Sequence, residues 1–548
     1  MAGLALRSMF VLTLLFGLAF GVAMAATYAA GLSWWIAVVI ALAFVGLQYL
    51  ISPFIIQWVH KIEWCDPAQA DPELATFLNA ICQQRGLQVP RFGLIHDGNP
   101  NAFTFGHYPG DARLVITQGL IDICDEHERQ TVVAHEVGHI VHWDFVVMTV
   151  AAAVPMILYV IYRFAFRVRG RGRNGSAVAL VGLAAFIAYL ISQYIVLFLS
   201  RIREYYADHF SAEVTRNPNG LASALVKIAY GLAKMPKEHE NEKGERTPAL
   251  AVAGGMGSKS LGIFDQNYGA SLALAAAGGY SAAGGYSQDV TVKAMRWDLW
   301  NPWAFICEVS STHPLPAKRL KALEKMAWEL GQTPVFDLPE PRDRPESYWD
   351  EFLVDLAVAY MPLIGLLAGV AIALGLGFAM HRTVAGIGIA VFGLGLGSLI
   401  RMQFSYPRAA FPPKKVVDLV EEIKVSQIRS VPCTLRGTII GRGIPGLYWS
   451  EDVVLRDETG FMRLDYRQPI RLFEFLFGLL KAEQFIGQEV VAEGWYRRWP
   501  APYCELWKMR DMHGGVQTCY NWAVGFYGSI LLIVLGLGAG IVGLMMQM

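Results

Sequence analysis

Two histidines four residues apart, with a glutamate directly after the first, are the residues of this chain best suited to chemistry: His135-Glu136-Val137-Gly138-His139. On a helix the two imidazoles lie about 40° apart around the axis, so both can ligate one divalent metal while Glu136 reaches the open coordination position. That arrangement suits zinc-dependent peptide hydrolysis. With 12 His and 46 Asp+Glu in 548 residues, chance alone would produce the spacing in roughly one such chain in fifty, so the surroundings must decide. Thr131-Val132-Val133-Ala134 leads in and Ile140-Val141 follows, without Pro and with Gly138 as the one weak helix former, which predicts a buried metal helix.

A zinc site needs a further protein ligand. The best candidate is Glu204 in Arg201-Ile202-Arg203-Glu204-Tyr205-Tyr206-Ala207-Asp208. A helix there puts Asp208 on the face of Glu204, one turn on, where it could hold a metal-bound His by its free ring N–H. The same stretch also reads as a charged juxtamembrane helix anchored by Arg201 and Arg203. His142, three residues after His139, does not match the pattern that recruits a third His six residues on, and reads as a polar helix residue. His107, His127 and His209 show no ligand spacing.

Composition says where these elements live. The chain is 54% hydrophobic and 17% charged, with a mean hydropathy of +0.36, which excludes an ordinary soluble enzyme and predicts a membrane protein. Seven apolar runs are long enough to cross a hydrocarbon core of about 30 Å: Met9 to Ala26, Trp34 to Val59, Phe145 to Ile161, Ala177 to Leu199, Leu356 to Met380, Val384 to Ile400 and Trp522 to Met546. The first has the features of a secretory signal, with Arg7 before it and Ala23-Met24-Ala25 at its end, but a second run follows closely, which predicts an uncleaved helical hairpin. The implied organisation is a two-span hairpin (1–61), the first part of a metal-dependent domain (62–144), two spans (145–199), its second part (200–351), two spans (352–402), a β-rich domain (403–520) and a last span (521–548). Basic and acidic residues balance at 46 each, so no overall field argues for nucleic acid. Seven scattered Cys without Cys-x-x-Cys pairs favour reduced thiols and a cytosolic face.

At this point the residues resemble a known family, the membrane-bound zinc metallopeptidases that include HtpX and the CAAX prenyl endopeptidases. Four signatures stand in the family's order: Asn101-Ala102-Phe103-Thr104-Phe105-Gly106, His135-Glu136-x-x-His139 with Asp144 after it, Arg203 to Asp208, and Ser311-Thr312-His313-Pro314 with Arg319 six residues beyond the His. The resemblance covers roughly residues 1 to 330. Its two spans before the metal helix and two between that helix and Glu204 look like the HtpX arrangement. It implies a multi-span α-helical membrane protein with an α+β, zincin-like (gluzincin) protease domain. It also implies one Zn²⁺ per chain on His135, His139 and Glu204, with Asp208 behind a ligand. Glu136 would be the general base, His313 and Arg319 the groups that meet the developing oxyanion, and Asn101, Ala102 and Phe103 the wall of the substrate cleft. The Gly/Ala/Ser-rich segment Ala251 to Tyr286 and the C-terminal 220 or so residues fall outside the pattern. The segment reads as a flexible cover or a linker.

Asp111 to Thr117 alternates polar and apolar residues and, with Arg91 to Ile95, predicts a small sheet whose edge can pair with an extended polypeptide through backbone alone. The C-terminal region reads as strands over Cys433 to Ile440, Val453 to Arg456, Phe461 to Tyr466, Glu489 to Tyr496 and Tyr503 to Trp507, with a helix over Pro469 to Lys481. That order is the β-β-β-α-β-β of an OB-like barrel. Its Trp495, Tyr496, Arg497, Arg498, Trp499, Tyr503 and Trp507 have the composition of a single-strand nucleic-acid surface. Nearness to the last span favours a membrane-interface or docking role instead.

The expected partners are therefore polypeptide substrates, membrane proteins above all, and the lipid bilayer. The expected place is a prokaryotic plasma membrane with the catalytic face cytoplasmic. Arg163, Arg167, Arg169, Arg171 and Arg173 oppose that orientation, because basic loops tend to stay inside. The function implied by likeness to HtpX is quality control of membrane proteins. A dedicated processing protease for lipid-modified or signal-derived peptides is the alternative. From another class, a catalytically silent scaffold recruiting partners through the OB-like domain is disfavoured by the intact Glu136.

Overall fold

The computed structural model describes residues 34–167, 175–230, 288–376, 383–408, 410–499 and 501–545. The first predicted span and the Gly/Ala-rich segment lie outside them.

The long apolar helices follow the hydropathy runs. They are α1 (Trp34–Val59), α5 (Asp144–Arg167), α6 (Gly175–Thr215), α11 (Trp349–Gly375), α12 (Thr383–Ser405) and α14 (Asn521–Met545). Five of these, α5, α6, α11, α12 and α14, are long and apolar enough over their described residues to cross a membrane. At 1.5 Å per residue, the 41 residues of α6 extend about 60 Å, twice a hydrocarbon core, so α6 continues past its apolar half into the region of Glu204 and Asp208. Helices α11, α12 and α14 cross on small residues: a side-chain carbon at Gly365 would come within 2.1 Å of the Gly393 carbonyl oxygen, and one at Gly388 within 2.4 Å of the Gly540 nitrogen.

Between α1 and α5 lies a four-stranded sheet, β1 (Glu63–Trp64), β2 (Arg91–Ile95), β3 (Ala102–Phe105) and β4 (Arg113–Thr117), in the order β1-β2-β4-β3. Strand β4 is central, parallel to β2 and antiparallel to β3, so the predicted strand supplies no edge. The Asn-Ala-Phe stretch does. Helices α2 (Pro72–Arg85), α3 (Gln118–Ile123) and α4 (Glu126–Val141) pack against this sheet. Helix α4 begins in a capping box: the Asp125 carboxylate accepts from the Glu128 N–H and the Glu128 carboxylate from the Asp125 N–H, while acids in the first turn complement the helix dipole. After α6 come α7 (Pro218–Tyr230), α8 (Gln288–Trp300), α9 (Pro302–Val309) and α10 (Pro316–Glu329).

The C-terminal strands are β5 (Val431–Arg442), β6 (Val453–Arg456), β7 (Phe461–Asp465), β8 (Glu489–Arg498), β9 (Pro502–Asp511) and β10 (Val516–Thr518), with helix α13 (Arg471–Leu480) between β7 and β8. Antiparallel pairs β5–β6, β6–β7, β8–β9 and β5–β8 and the parallel pair β7–β9 close the first five strands into a barrel. This barrel is not isolated. One apolar core runs from Trp297, Trp303 and Leu320 into Val416, Leu435 and Tyr496. The basic and aromatic cluster is spent on the same join. Arg498 is buried with its Nη2 2.8 Å from Asp298 Oδ1 of α8, Arg497 donates to Glu505 and to the Ser405 carbonyl at the end of α12, and Trp495 donates to the Pro407 carbonyl. Trp495, Tyr496 and Tyr503 are buried too, so these side chains offer no exposed stacking platform for a nucleic acid.

Candidate active site

Helices α4 and α6 approach closely because residue 138 is Gly. A side-chain carbon there would sit 3.1 Å from the Ala207 Cα and 3.2 Å from the Phe210 ring. This closeness brings Glu204 and Asp208 beside the two imidazoles, and α6 being one helix through both acids puts them on a common face, as their spacing predicts.

His135 Nε2 and His139 Nε2 stand 3.2 Å apart, their rings edge to face. Each Nδ1 is held by a carboxylate: His135 by Asp208 Oδ1 at 3.0 Å and His139 by Asp144 Oδ2 at 2.6 Å. Each of these carboxylates is in turn held by a guanidinium. Arg319 donates from Nε and Nη2 to Asp208 at 2.9 and 2.5 Å, and Arg203 donates to Asp144. With each Nδ1 set to donate to its carboxylate, the neutral rings turn both Nε2 lone pairs toward one another, an arrangement that calls for a cation between them, either a metal ion or a proton held on one ring.

Glu204 closes the triangle, with Oε1 3.6 Å from His139 Nε2 and Oε2 3.7 Å from His135 Nε2. Two imidazole nitrogens and a carboxylate are a zinc donor set, and tetrahedral zinc with bonds of ~2.0–2.1 Å spaces two nitrogens roughly 3.3 Å apart, so these residues fit the metal. His135, Glu136 and His139 also present ligand atoms within 4.8 Å of one another. Glu136, however, is turned to the sheet, where its Oε2 accepts from Thr104 Oγ1 at 3.0 Å. Burial alone would lower the basicity of His139, but the hydrogen bond and charge of Asp144 outweigh it and push the imidazole up to about 9, so protons compete with a cation there.

His313 and Arg319 both reach Glu204, His313 Nδ1 at 3.0 Å from Oε1 and Arg319 Nη1 at 3.0 Å from Oε2. His313 is partly exposed, whereas Arg319 is buried. The Arg319 guanidinium is engaged by Asp208 and Glu204, since a buried cation needs that many acceptors.

Phe103 takes the opposite face of its strand from Thr104. Pairing Ala102 with Ile116 and Thr104 with Leu114 turns Ala102 and Thr104 toward α4, while Phe103 and Phe105 share the other face with Ile95, Val115 and Ile56 of α1. Phe103 therefore does not project to the side of Glu136. Asn101 binds Thr117 of β4 through its backbone, which positions the strand. His142 ends α4, its ring against Tyr206 and its carbonyl accepting from Arg203. Sequence reasoning left Thr104 and Asp144 without roles and read Arg203 only as a juxtamembrane anchor. Thr104 and Arg203 adjoin or lie within quoted signatures, and Asp144 falls five residues after His139, but what they touch was invisible.

The chain matches the model of "Peptidase family M48" over residues 68–327. It is 38% identical over 231 residues to "Protease HtpX homolog" of Methanothermobacter thermautotrophicus, covering 42% of this chain and 87% of that protein. With the protein of the same name from Aeropyrum pernix it shares 29% over 301 residues, 53% of this chain and 86% of the relative. Among solved structures, Ste24p of S. mikatae is similar at 18% identity over 41% of this chain and 59% of that one, with a TM-score of 0.28, too slight a likeness to bear on fold or function. A relative covered over most of its length, and a family match over 68–327 that includes the His135-Glu136-His139 cluster, leave one conclusion: the chain belongs to peptidase family M48, among its HtpX-like membrane metallopeptidases.

Proposed function

We propose that the protein is an integral membrane zinc endopeptidase in which His135, His139 and Glu204 hold one Zn²⁺ and Glu136 is the general base. The observation that carries this reading is the pair of facing Nε2 atoms with the Glu204 carboxylate beside them. Zinc, when bound, polarises a carbonyl and acidifies its water. Glu136, steadied by Thr104, takes a proton from the attacking water and returns it to the leaving amine. His313, anchored through Nδ1 and partly exposed, meets the oxyanion with its other nitrogen. Arg319 and Arg203 are positioning residues, acting through Asp208 and Asp144 on the two imidazoles.

The substrate lies extended along the open edge of β3, read by backbone hydrogen bonds, as in a zincin-like (gluzincin) domain. Backbone reading tolerates diverse sequences, which supports a role in clearing damaged or misassembled membrane proteins. The strand order of the C-terminal barrel, with its helix between the third and fourth strands, supports reading 403–520 as an OB-like domain, joined to the protease by a shared core. Seven free thiols, six of them buried, support a reducing, cytoplasmic setting for the catalytic face in a prokaryotic plasma membrane.

Purified protein should contain about one zinc per chain and digest casein or an unfolded membrane protein, lose both metal and activity to a chelator, and regain both on adding zinc. Digestion that continues after the metal has been stripped would refute the reading.

A further inference from the structure

Helix α13 (Arg471–Leu480) carries an apolar face that none of the described residues covers. Leu472, Phe473 and Leu480 are 59%, 54% and 62% exposed, and Leu476 completes the stripe at i, i+1, i+4 and i+8. Its orientation is set from behind. Phe477 stacks on Tyr466 at 3.9 Å, and a side-chain carbon at Gly478 would come within 2.3 Å of the Trp449 carbonyl oxygen, so the helix cannot roll its stripe inward.

Both ends are tied to the ends of apolar helices. Just before α13, Gln468 donates to the Thr518 carbonyl and accepts from the Tyr520 N–H, one residue before α14 begins at Asn521. Just after it, Glu483 pairs with Lys61 at 3.1 Å, two residues beyond the end of α1, whose last turns expose Phe54 and Trp58. Exposed Tyr520 and the stacking of Arg408 on Trp522 at 4.4 Å mark the α14 entry as headgroup level, where aromatic and basic side chains settle. Exposed Arg471 and Lys481 flank the stripe, suited to phosphate groups of anionic lipid.

We propose that α13 lies flat in the headgroup layer of the bilayer, with Leu472, Phe473, Leu476 and Leu480 inserted between lipids, and that it seats the barrel on the membrane surface. Lipid is the occupant because the helix is tied at both ends to the ends of α1 and α14, beside exposed Phe54, Trp58 and Tyr520, at the height where aromatic residues meet headgroups.

The test uses full-length protein in nanodiscs of phosphatidylcholine and phosphatidylglycerol. Phe473→Cys and, separately, Leu472→Cys carry an environment-sensitive fluorophore, in a Cys65→Ser background because the other six cysteines are buried. Leu535→Cys, exposed in mid-α14, is the lipid reference. The expected result is that a lipid spin-labelled near the headgroup removes most of the emission at 472 and 473 while aqueous iodide removes little. Strong iodide quenching at both positions would place the stripe in water and overturn the proposal. Protection from both quenchers, with crosslinking between chains through 473, would assign the face to a second protein and overturn it equally.

Discussion

The catalytic centre and the barrel join are built from the same parts with opposite outcomes. In each, buried arginines are held by buried carboxylates: Arg319 by Asp208 and Arg203 by Asp144 near the imidazoles, Arg498 by Asp298 and Arg497 by Glu505 at the join. At the join these pairs, with backbone carbonyls, close on themselves and hold two regions together. At the centre each pair passes its order on to an imidazole, and the Nε2 of each ring is left over, aimed at a common point. Buried charge by itself marks structure; buried charge that leaves acceptors unspent marks chemistry.

That contrast can be broken in graded ways. The largest effect belongs to Glu136→Gln, expected to cut turnover by about 10²–10⁴-fold while zinc stays bound; hydrolysis at the unaltered rate would remove Glu136 from the mechanism. Glu204→Ala should instead release the metal and take activity with it, and full metal retention on elemental analysis would mean another residue completes the site. Asp144→Asn keeps the shape but weakens the hold on His139, so zinc affinity should fall about 10–100-fold, as measured by competition with a chelating dye; unchanged affinity would reduce Asp144 to packing. Arg498→Ala takes the guanidinium away from the buried Asp298 carboxylate. It should destabilise the protein by about 3–5 kcal/mol in thermal melts with no change in zinc per folded chain, and metal loss without destabilisation would contradict the distinction drawn between the two regions.

The smallest expected effect lies at the seam itself. Asp97, after β2, accepts from the Asn99 and Arg442 N–H groups between the sheet and the barrel, and burial raises its carboxyl from the usual 3.8 to about 6 despite those bonds and the Arg442 charge. The folded protein therefore holds this proton more tightly than the unfolded chain, so the contribution of Asp97 to stability is greatest in acid and is lost as pH rises from 3.8 to about 6. Asp97→Asn should flatten that part of the melting-temperature profile, and a slope that survives the substitution would have another origin.

Much was legible because it depends on local periodicity. The His135/Glu136/His139 spacing, the shared face of Glu204 and Asp208, the apolar helices and the order of C-terminal strands all follow from 3.6- and 2-residue repeats and from run length. What Arg319 binds, which way Phe103 turns, that β4 is central with β3 at the edge, and that the barrel shares a core with α8 and α9 do not follow from any repeat. They join residues such as Asp208 and Arg319, 111 apart, or Asn99 and Arg442, 343 apart. Repeats say which face of an element is apolar, but only packing decides which faces meet. A buried charge has no preferred partner until that packing has excluded water and left it a single carboxylate within reach.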